Sequence, residues 1–291
     1  MTNDQTSTAI PKRLMLATDL SARCDRALDR AGLLAESWGA ALVAVNVLDV
    51  ANTPDQILAW AGRASEREMR EIALHELRRN TQGVKAPITL RVERGDEPAD
   101  VLCNVADEVQ ADLVVSSVAR SEVLGRFLLG STVEQLARRL TQPLLIVRQR
   151  ARQPYRRIVV ATDLSAGAHA GLQAAARLFP GQPLQLYHAH DVPLAGLAGR
   201  ADEAPPVSRT AQQACEALLA ETPLPPSTAV SIQCERGAVA STLPSYVRTH
   251  DVDLVVLGIQ ARAGLLGALL GSTALRLLQW LPSDVLLVRS D

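Results

Sequence analysis

The sequence contains one unit written twice. Arg13-Leu14-Met15-Leu16-Ala17-Thr18-Asp19-Leu20-Ser21 returns as Arg157-Ile158-Val159-Val160-Ala161-Thr162-Asp163-Leu164-Ser165, residue 19 to residue 163, an offset of 144. Glu93-Arg94-Gly95 returns as Glu235-Arg236-Gly237 at an offset of 142. Three more pairs share an offset of 141: Asp112-Leu113-Val114-Val115 with Asp253 to Val256, Gly130-Ser131-Thr132 with Gly271-Ser272-Thr273, and Leu144 to Arg148 with Val285 to Arg289. Landmarks in one order at a near-constant offset restrict the chain to two copies of one fold.

Each copy has the length of an ordinary domain, residues 11–148 and 156–291, with Gln149 to Tyr155 as the polar connector. Arg148, Arg150, Arg152, Arg156 and Arg157 cluster there, as a phosphate- or partner-binding patch or as a solvated connector. Within each copy short apolar runs alternate with amphipathic stretches, the pattern of a parallel α/β fold. The expected strands are Leu14 to Ala17, Ala41 to Val47, Ile88 to Val92, Leu113 to Ser116 and Leu144 to Val147, then Ile158 to Ala161, Leu184 to Ala189, Ala229 to Cys234, Leu254 to Leu257 and Val285 to Val288. Expected helices include Ala22 to Trp38, opened by Ser21, and its counterpart Ala166 to Phe179. The long connections Leu48 to Ala61 and Asp191 to Val207 read as lids.

Composition removes several classes of function. A formal net charge of −1 gives no basic field for nucleic acid or an anionic membrane, and 3% aromatic residues leave little for base stacking. The N-terminus lacks the pattern of a signal peptide, and the most apolar run, Gly264 to Leu281, is interrupted by polar residues, so the expected location is the cytoplasm. Cys24, Cys103, Cys215 and Cys234 follow no zinc spacing and read as reduced thiols. No nucleophile elbow, phosphate-loop lysine motif or metal-ligand set is present, so an enzyme is not expected beyond a slow incidental ATPase.

The stretch from Asp253 to Thr273 is the strongest candidate for binding. An apolar valine-rich strand is expected to end at Gly258, and Gly271-Ser272-Thr273 is expected to open a helix, where free backbone N–H groups could hold phosphate oxygens. The same glycines could serve only as turn-formers. Asp19 and Asp163 close the first strand of each copy, at the edge where open parallel sheets bind ligands, either as hydrogen-bond acceptors for an adenine or ribose group or as helix-entry residues. Asp112 and Asp253 precede their strands on the opposite edge and read as structural. His188 and His190 alternate on one strand and point the same way, without a third metal ligand.

Taken together, Ala-Thr-Asp-Leu-Ser, Glu-Arg-Gly, Asp-Leu-Val-Val, Leu-Leu-Gly-Ser-Thr and a last apolar strand ending in Arg resemble the universal stress protein family in its tandem form, from about Pro11 to Arg289. ATP-binding members of that family carry Gly, two residues, Gly, nine residues and Gly-(Ser/Thr). In the second copy Gly258 matches the first glycine, Ala261 replaces the second, and Gly271-Ser272 match the third, with Thr273 beside them. In the first copy Ser117 and Arg120 replace the first two glycines and only Gly130-Ser131 match.

The resemblance implies two Rossmann-like domains, each a five-stranded parallel sheet in the order 3-2-1-4-5 with helices on both faces. It further implies that the two pair through their last strands as an intramolecular pseudo-dimer, with further homo-oligomerisation left open. It also points to a stress-response protein that binds ATP with Mg2+, or a related adenine nucleotide, in the second domain and engages a protein partner; nucleotide-dependent ordering of Gln260 to Gly267 is the signal expected on that reading. The alternative is an interaction scaffold of the same fold that binds no nucleotide.

Overall fold

The structure is a computed structural model that describes residues 10–48, 65–120, 127–190, 207–260 and 270–290. Most of both expected lids, and the segment expected to order on binding after Gln260, from Ala261 to Gly267, lie outside the described residues. The chain divides into two compact units, one formed by Pro11–Pro154 and one to which Tyr155–Asp291 belongs.

In the first unit the elements run β1 (Arg13–Ala17), α1 (Asp25–Trp38), β2 (Ala41–Leu48), α2 (Glu66–Asn80), β3 (Ile88–Arg94), α3 (Pro98–Glu108), β4 (Leu113–Ser117), α4 (Ser131–Arg139) and β5 (Leu144–Val147). The second repeats the plan as β6 (Ile158–Thr162), α5 (Ala166–Leu178), β7 (Leu184–His190), α6 (Val207–Glu221), β8 (Val230–Arg236), α7 (Val239–Thr249), β9 (Leu254–Gln260), α8 (Ser272–Trp280) and β10 (Asp284–Ser290). Each unit holds five parallel strands in the expected order, β3-β2-β1-β4-β5 and β8-β7-β6-β9-β10.

Strand sequence follows strand position. The inner strand β4 is buried at every residue and β1 at all but its first, because helices cover both faces and a polar residue on either side would lose its water. The edge strand β3 instead carries Arg91, Glu93 and Arg94, and Arg91 pairs with Glu93 at 2.7 Å and Glu108 at 3.0 Å, charge that discourages further strand pairing. In the first unit α1 packs on β1, β4 and β5, α2 packs on β2 and β3, and α3 packs against α4.

Both aspartates assigned to structure latch strands together. Asp112 Oδ2 accepts the backbone N–H groups of Lys12 at 2.7 Å and Arg13 at 3.0 Å. Asp253 Oδ2 accepts those of Arg156 and Arg157, each at 2.9 Å. One carboxylate thereby satisfies two amides at the entrance of the first strand of its unit.

Two sequence expectations change. Tyr155 belongs to the core, not to a connector: it is 2% exposed, its hydroxyl donates to Asp284 at 2.6 Å, and its ring meets Phe179 edge-on at 5.6 Å. Arg148 leaves the arginine cluster, being buried with its guanidinium 4.6 Å above the Phe127 ring.

Candidate functional site

The repeated Thr-Asp-Leu-Ser is a turn with a physical reason for each residue. Thr18 Oγ1 accepts the Leu20 N–H at 3.1 Å and Asp19 Oδ1 accepts the Ser21 N–H at 3.0 Å. The second copy does the same, from Leu164 N to Thr162 Oγ1 at 2.9 Å and from Ser165 N to Asp163 Oδ1 at 3.0 Å. These two side-chain bonds hold a leucine in the left-handed region, φ 62° at Leu20 and 64° at Leu164, which leucine rarely adopts alone. The turn presents a carboxylate at the C-terminal edge of the first strand. Behind it, Asn46 Nδ2 donates to the Thr18 carbonyl at 2.9 Å, and His188 Nδ1 lies 3.0 Å from the Thr162 carbonyl.

The two copies differ in what surrounds that carboxylate. Asp19 Oδ1 takes the Ser21 hydroxyl at 2.5 Å and the Cys24 thiol at 3.0 Å as well as the amide, while Oδ2 takes Arg23 Nε at 2.8 Å and a second bond from Arg23. Five donors fill a group with about four lone-pair directions. Burial pushes the Asp19 pKa up, but the bonds from Cys24, Ser21 and Arg23 outweigh it and hold the carboxyl at about 2. The Cys24 thiol also meets Ser117 Oγ at 3.3 Å, so the residue in the first glycine's place is tied to the same network.

In the second copy Gly167 stands at the offset position of Arg23, and Ala168 at that of Cys24. Among the described residues Asp163 accepts the Ser165 amide, it is exposed, and its Oδ2 receives no donor. These substitutions also shape the helices. In the first copy a short 3-10 turn, Ala22–Cys24, precedes α1. In the second α5 begins directly at Ala166, with Ser165 at its N-cap position. Neither serine caps through its side chain.

Contrary to the expectation from sequence, Gly258 does not end its strand. It lies within β9, aligned with Val288 of β10, and pairing continues to Gln260. Its missing side chain makes room for a helix: a Cβ there would fall 1.8 Å from the Gly167 carbonyl oxygen and 2.4 Å from its carbon. Gly167 and Gly171, one turn apart on α5, face Gly258 in return. Three glycines let a helix backbone rest on a strand backbone, which is the turn-independent reason for the first glycine of the motif.

The phosphate-binding candidates open the last helices. Gly271 is the N-cap of α8, whose first residues are Ser272 and Thr273, all three exposed, and the intrahelical ladder starts from Leu275 N to Gly271 O at 3.0 Å. Among the described residues no acceptor takes the amides before it, and no acid stands in the first turn. In the first copy Gly130 caps α4 and Ser131 starts it, but Glu134 occupies the first turn and pairs with Arg138 at 2.6 Å. Its charge opposes an anion at that terminus. Arg120 lies on a two-residue strand, Ala119–Arg120, paired antiparallel with Phe127–Leu128. Thus β6 and β9, neighbours in register from Ile158↔Leu254 to Ala161↔Leu257, bring Asp163 and Gly258 to one edge, and α8 is the helix that follows β9.

Sequence reading missed Arg23, Cys24, Glu134 and Gly167. Superposing the copies at an offset of 144 would have found three of them, since Arg23 and Cys24 fall on Gly167 and Ala168. His188 and His190 stack, with ring centroids 6.2 Å apart, and no group of three potential metal ligands occurs among the described residues. No helix among them is long and apolar enough to cross a membrane.

The profile of the universal stress protein family matches residues 11–148 and again 154–289. The chain belongs to the universal stress protein family. Full-length relatives share its fold: a universal stress protein from Archaeoglobus fulgidus DSM 4304 is 16% identical over 95% of this chain and 98% of its own, with a TM-score of 0.67. A putative universal stress protein from Pseudomonas aeruginosa UCBPP-PA14 is 21% identical over 97% of this chain and 94% of its own, at 0.65. A universal stress protein solved in complex with cAMP is 29% identical over 47% of this chain and 97% of its own, at 0.35. No curated protein matches the chain.

Proposed function

We propose that this tandem universal stress protein is a regulatory binder of an adenine nucleotide, ATP with Mg2+ or a close relative, and that the second domain alone holds it. The observation that carries the reading is the contrast between the two aspartates. Asp19 is saturated by Arg23, Cys24 and Ser21, whereas Asp163 keeps an oxygen for a ligand hydroxyl or amino group. The acid-free N-terminus of α8 supports it, because Ser272, Thr273 and the first-turn amides suit phosphate oxygens. Adenine as the base comes from the family resemblance of the Gly258, Ala261, Gly271-Ser272 spacing.

The test is isothermal titration of the full chain with Mg-ATP. One saturable site per chain is expected. Asp163→Ala should weaken binding roughly 10- to 100-fold by removing a charged acceptor, and Asp19→Ala should leave the affinity unchanged. Equal loss in both variants would overturn the assignment to one domain. The nucleotide is a ligand and not a substrate in this reading, so prolonged incubation should leave ATP intact.

A scaffold that binds no nucleotide is the second reading, favoured by the purely steric need for Gly258. Absence of heat and of any thermal shift with Mg-ATP would establish it.

A further inference from the structure

Two of the four cysteines, far apart in sequence, meet in the second domain. Cys215 is fully buried on the face of α6 that also carries Ala211 and Leu218, spaced four and three residues away. Cys234 lies on the edge strand β8, half-buried, aligned with His188 of β7. Its thiol is 3.9 Å from Gln212 Oε1, and Gln212 sits one turn before Cys215 on α6. The Cys234 thiol therefore lies beside the turn of α6 that holds Cys215, on a strand against which that helix packs. Cys24 is bonded to Asp19 and Ser117 in the first domain, and the offset counterpart of Cys234 there is Val92.

We propose that Cys215 and Cys234 are a dithiol modification site, closed by a peroxide into an intramolecular disulfide that fastens α6 to β8. A solitary buried cysteine is a small core hydrophobe. A second thiol on the facing, more accessible element supplies what reversible oxidation needs, a sulfur that meets the oxidant and one that resolves it.

Burial, then the neighbouring Cys234 thiol, pushes Cys215 up to about 12, so Cys215 stays protonated and the more accessible Cys234 is the first to react with the peroxide. The Cys234 thiolate attacks one peroxide oxygen, the O–O bond breaks, and hydroxide leaves, giving a sulfenic acid. Cys215 sulfur then attacks the Cys234 sulfur, the S–O bond breaks, and the departing hydroxide takes the Cys215 proton as water. Two thiols and one hydrogen peroxide become one disulfide and two waters. The metal alternative is weaker, because no three-ligand group is present among the described residues.

The site is independent of nucleotide and is tested on the ligand-free full chain. Graded hydrogen peroxide is followed by alkylation of remaining thiols and peptide mapping under non-reducing conditions. The expected result is the loss of two of the four thiols, one cross-linked peptide pair containing Cys215 and Cys234, and full recovery with dithiothreitol. In Cys215→Ala, Cys234 should instead proceed to sulfinic acid. Should that core variant fold poorly, Cys234→Ser at the half-buried edge should abolish the cross-link and leave Cys215 alkylatable only after unfolding. Overoxidation of Cys234 in the native chain with Cys215 still reduced would overturn the proposal. So would a cross-link to any other cysteine, or both thiols unmodified where Cys103 is oxidised.

Discussion

Gly258→Ala separates a packing glycine from a ligand-access glycine. The new Cβ would lie 1.8 Å from the Gly167 oxygen, and real Cβ contacts do not fall below 3.0 Å, so α5 and β9 must part by about 1 Å. Backbone opposes backbone here, and no flexible side chain can yield, which places the overpacking cost near the upper end of its usual range, about 3 kcal/mol. Removing glycine from a strand interior returns about 0.5–1 kcal/mol. The net loss of about 2–2.5 kcal/mol corresponds to a fall in unfolding temperature of about 5–10 °C for a domain of this size. Gly167→Ala and Gly171→Ala place their Cβ atoms 3.3 Å or more from Gly258, tight but tolerable, and each gains about 1 kcal/mol of helix propensity. Those two should lie near wild type. Calorimetry of the ligand-free chain gives the order. A Gly258→Ala protein that melts with wild type, yet loses its heat with Mg-ATP, would refute the steric argument and return Gly258 to the ligand.

Three other outcomes follow from the described contacts. Asp253→Ala, which frees the amides of Arg156 and Arg157, should destabilise the second domain by about 1–3 kcal/mol, and Asp112→Ala the first by a similar amount, read as separate shifts in calorimetry. Tyr155→Phe, which takes one short hydrogen bond from the fully buried Asp284, should cost about 1–3 kcal/mol in chemical denaturation. Asp19 has a lowered folded pKa of about 2, so its contribution is complete above the unfolded value and is lost as pH falls from about 4 toward 2. Its side chain is 43% exposed, and after solvent screening that contribution is about 1 kcal/mol. Carboxyl NMR should show Asp19 titrating near 2, and Arg23→Ala should move it upward.

The fold was legible because its determinants are local and repeated. Buried strands on two-sided sheets must be apolar runs, and Leu113 to Ser116 or Val285 to Val288 announce themselves as such. Paired copies made the order of elements unmistakable. Three features were not legible. Gly258 looks like a strand end because glycine usually breaks strands, and only the three-dimensional crossing of α5 shows the helix that needs it. Arg148 looks like a solvated linker charge, yet Phe127, twenty-one residues earlier, gives it a ring to cover. Saturation of Asp19 depends on five donors converging within hydrogen-bond distance, and sequence gives candidates for such a network but not its closure.

The divergence of the copies is best understood as two solutions to one problem, how to hold the first helix against the fourth strand of the sheet order. In the first domain the gap is bridged by side chains: Cys24 touches Ser117, Arg23 and Ser21 converge on Asp19, and the turn carboxylate becomes part of the protein's own hydrogen-bond network. In the second the gap is removed, since Gly167, Gly171 and Gly258 bring backbone onto backbone, and Gly167 and Ala168 carry no side chain long enough to bridge to the turn. A carboxylate can serve the fold or a ligand with the same lone pairs, not both at once. Replacing bridging side chains by glycine and alanine at 167 and 168 therefore frees Asp163 without altering the Thr-Asp-Leu-Ser turn that presents it, whose bond lengths differ between copies by no more than 0.2 Å. On the proposed reading, the capacity of each copy to bind is set by helix packing one layer beneath its turn.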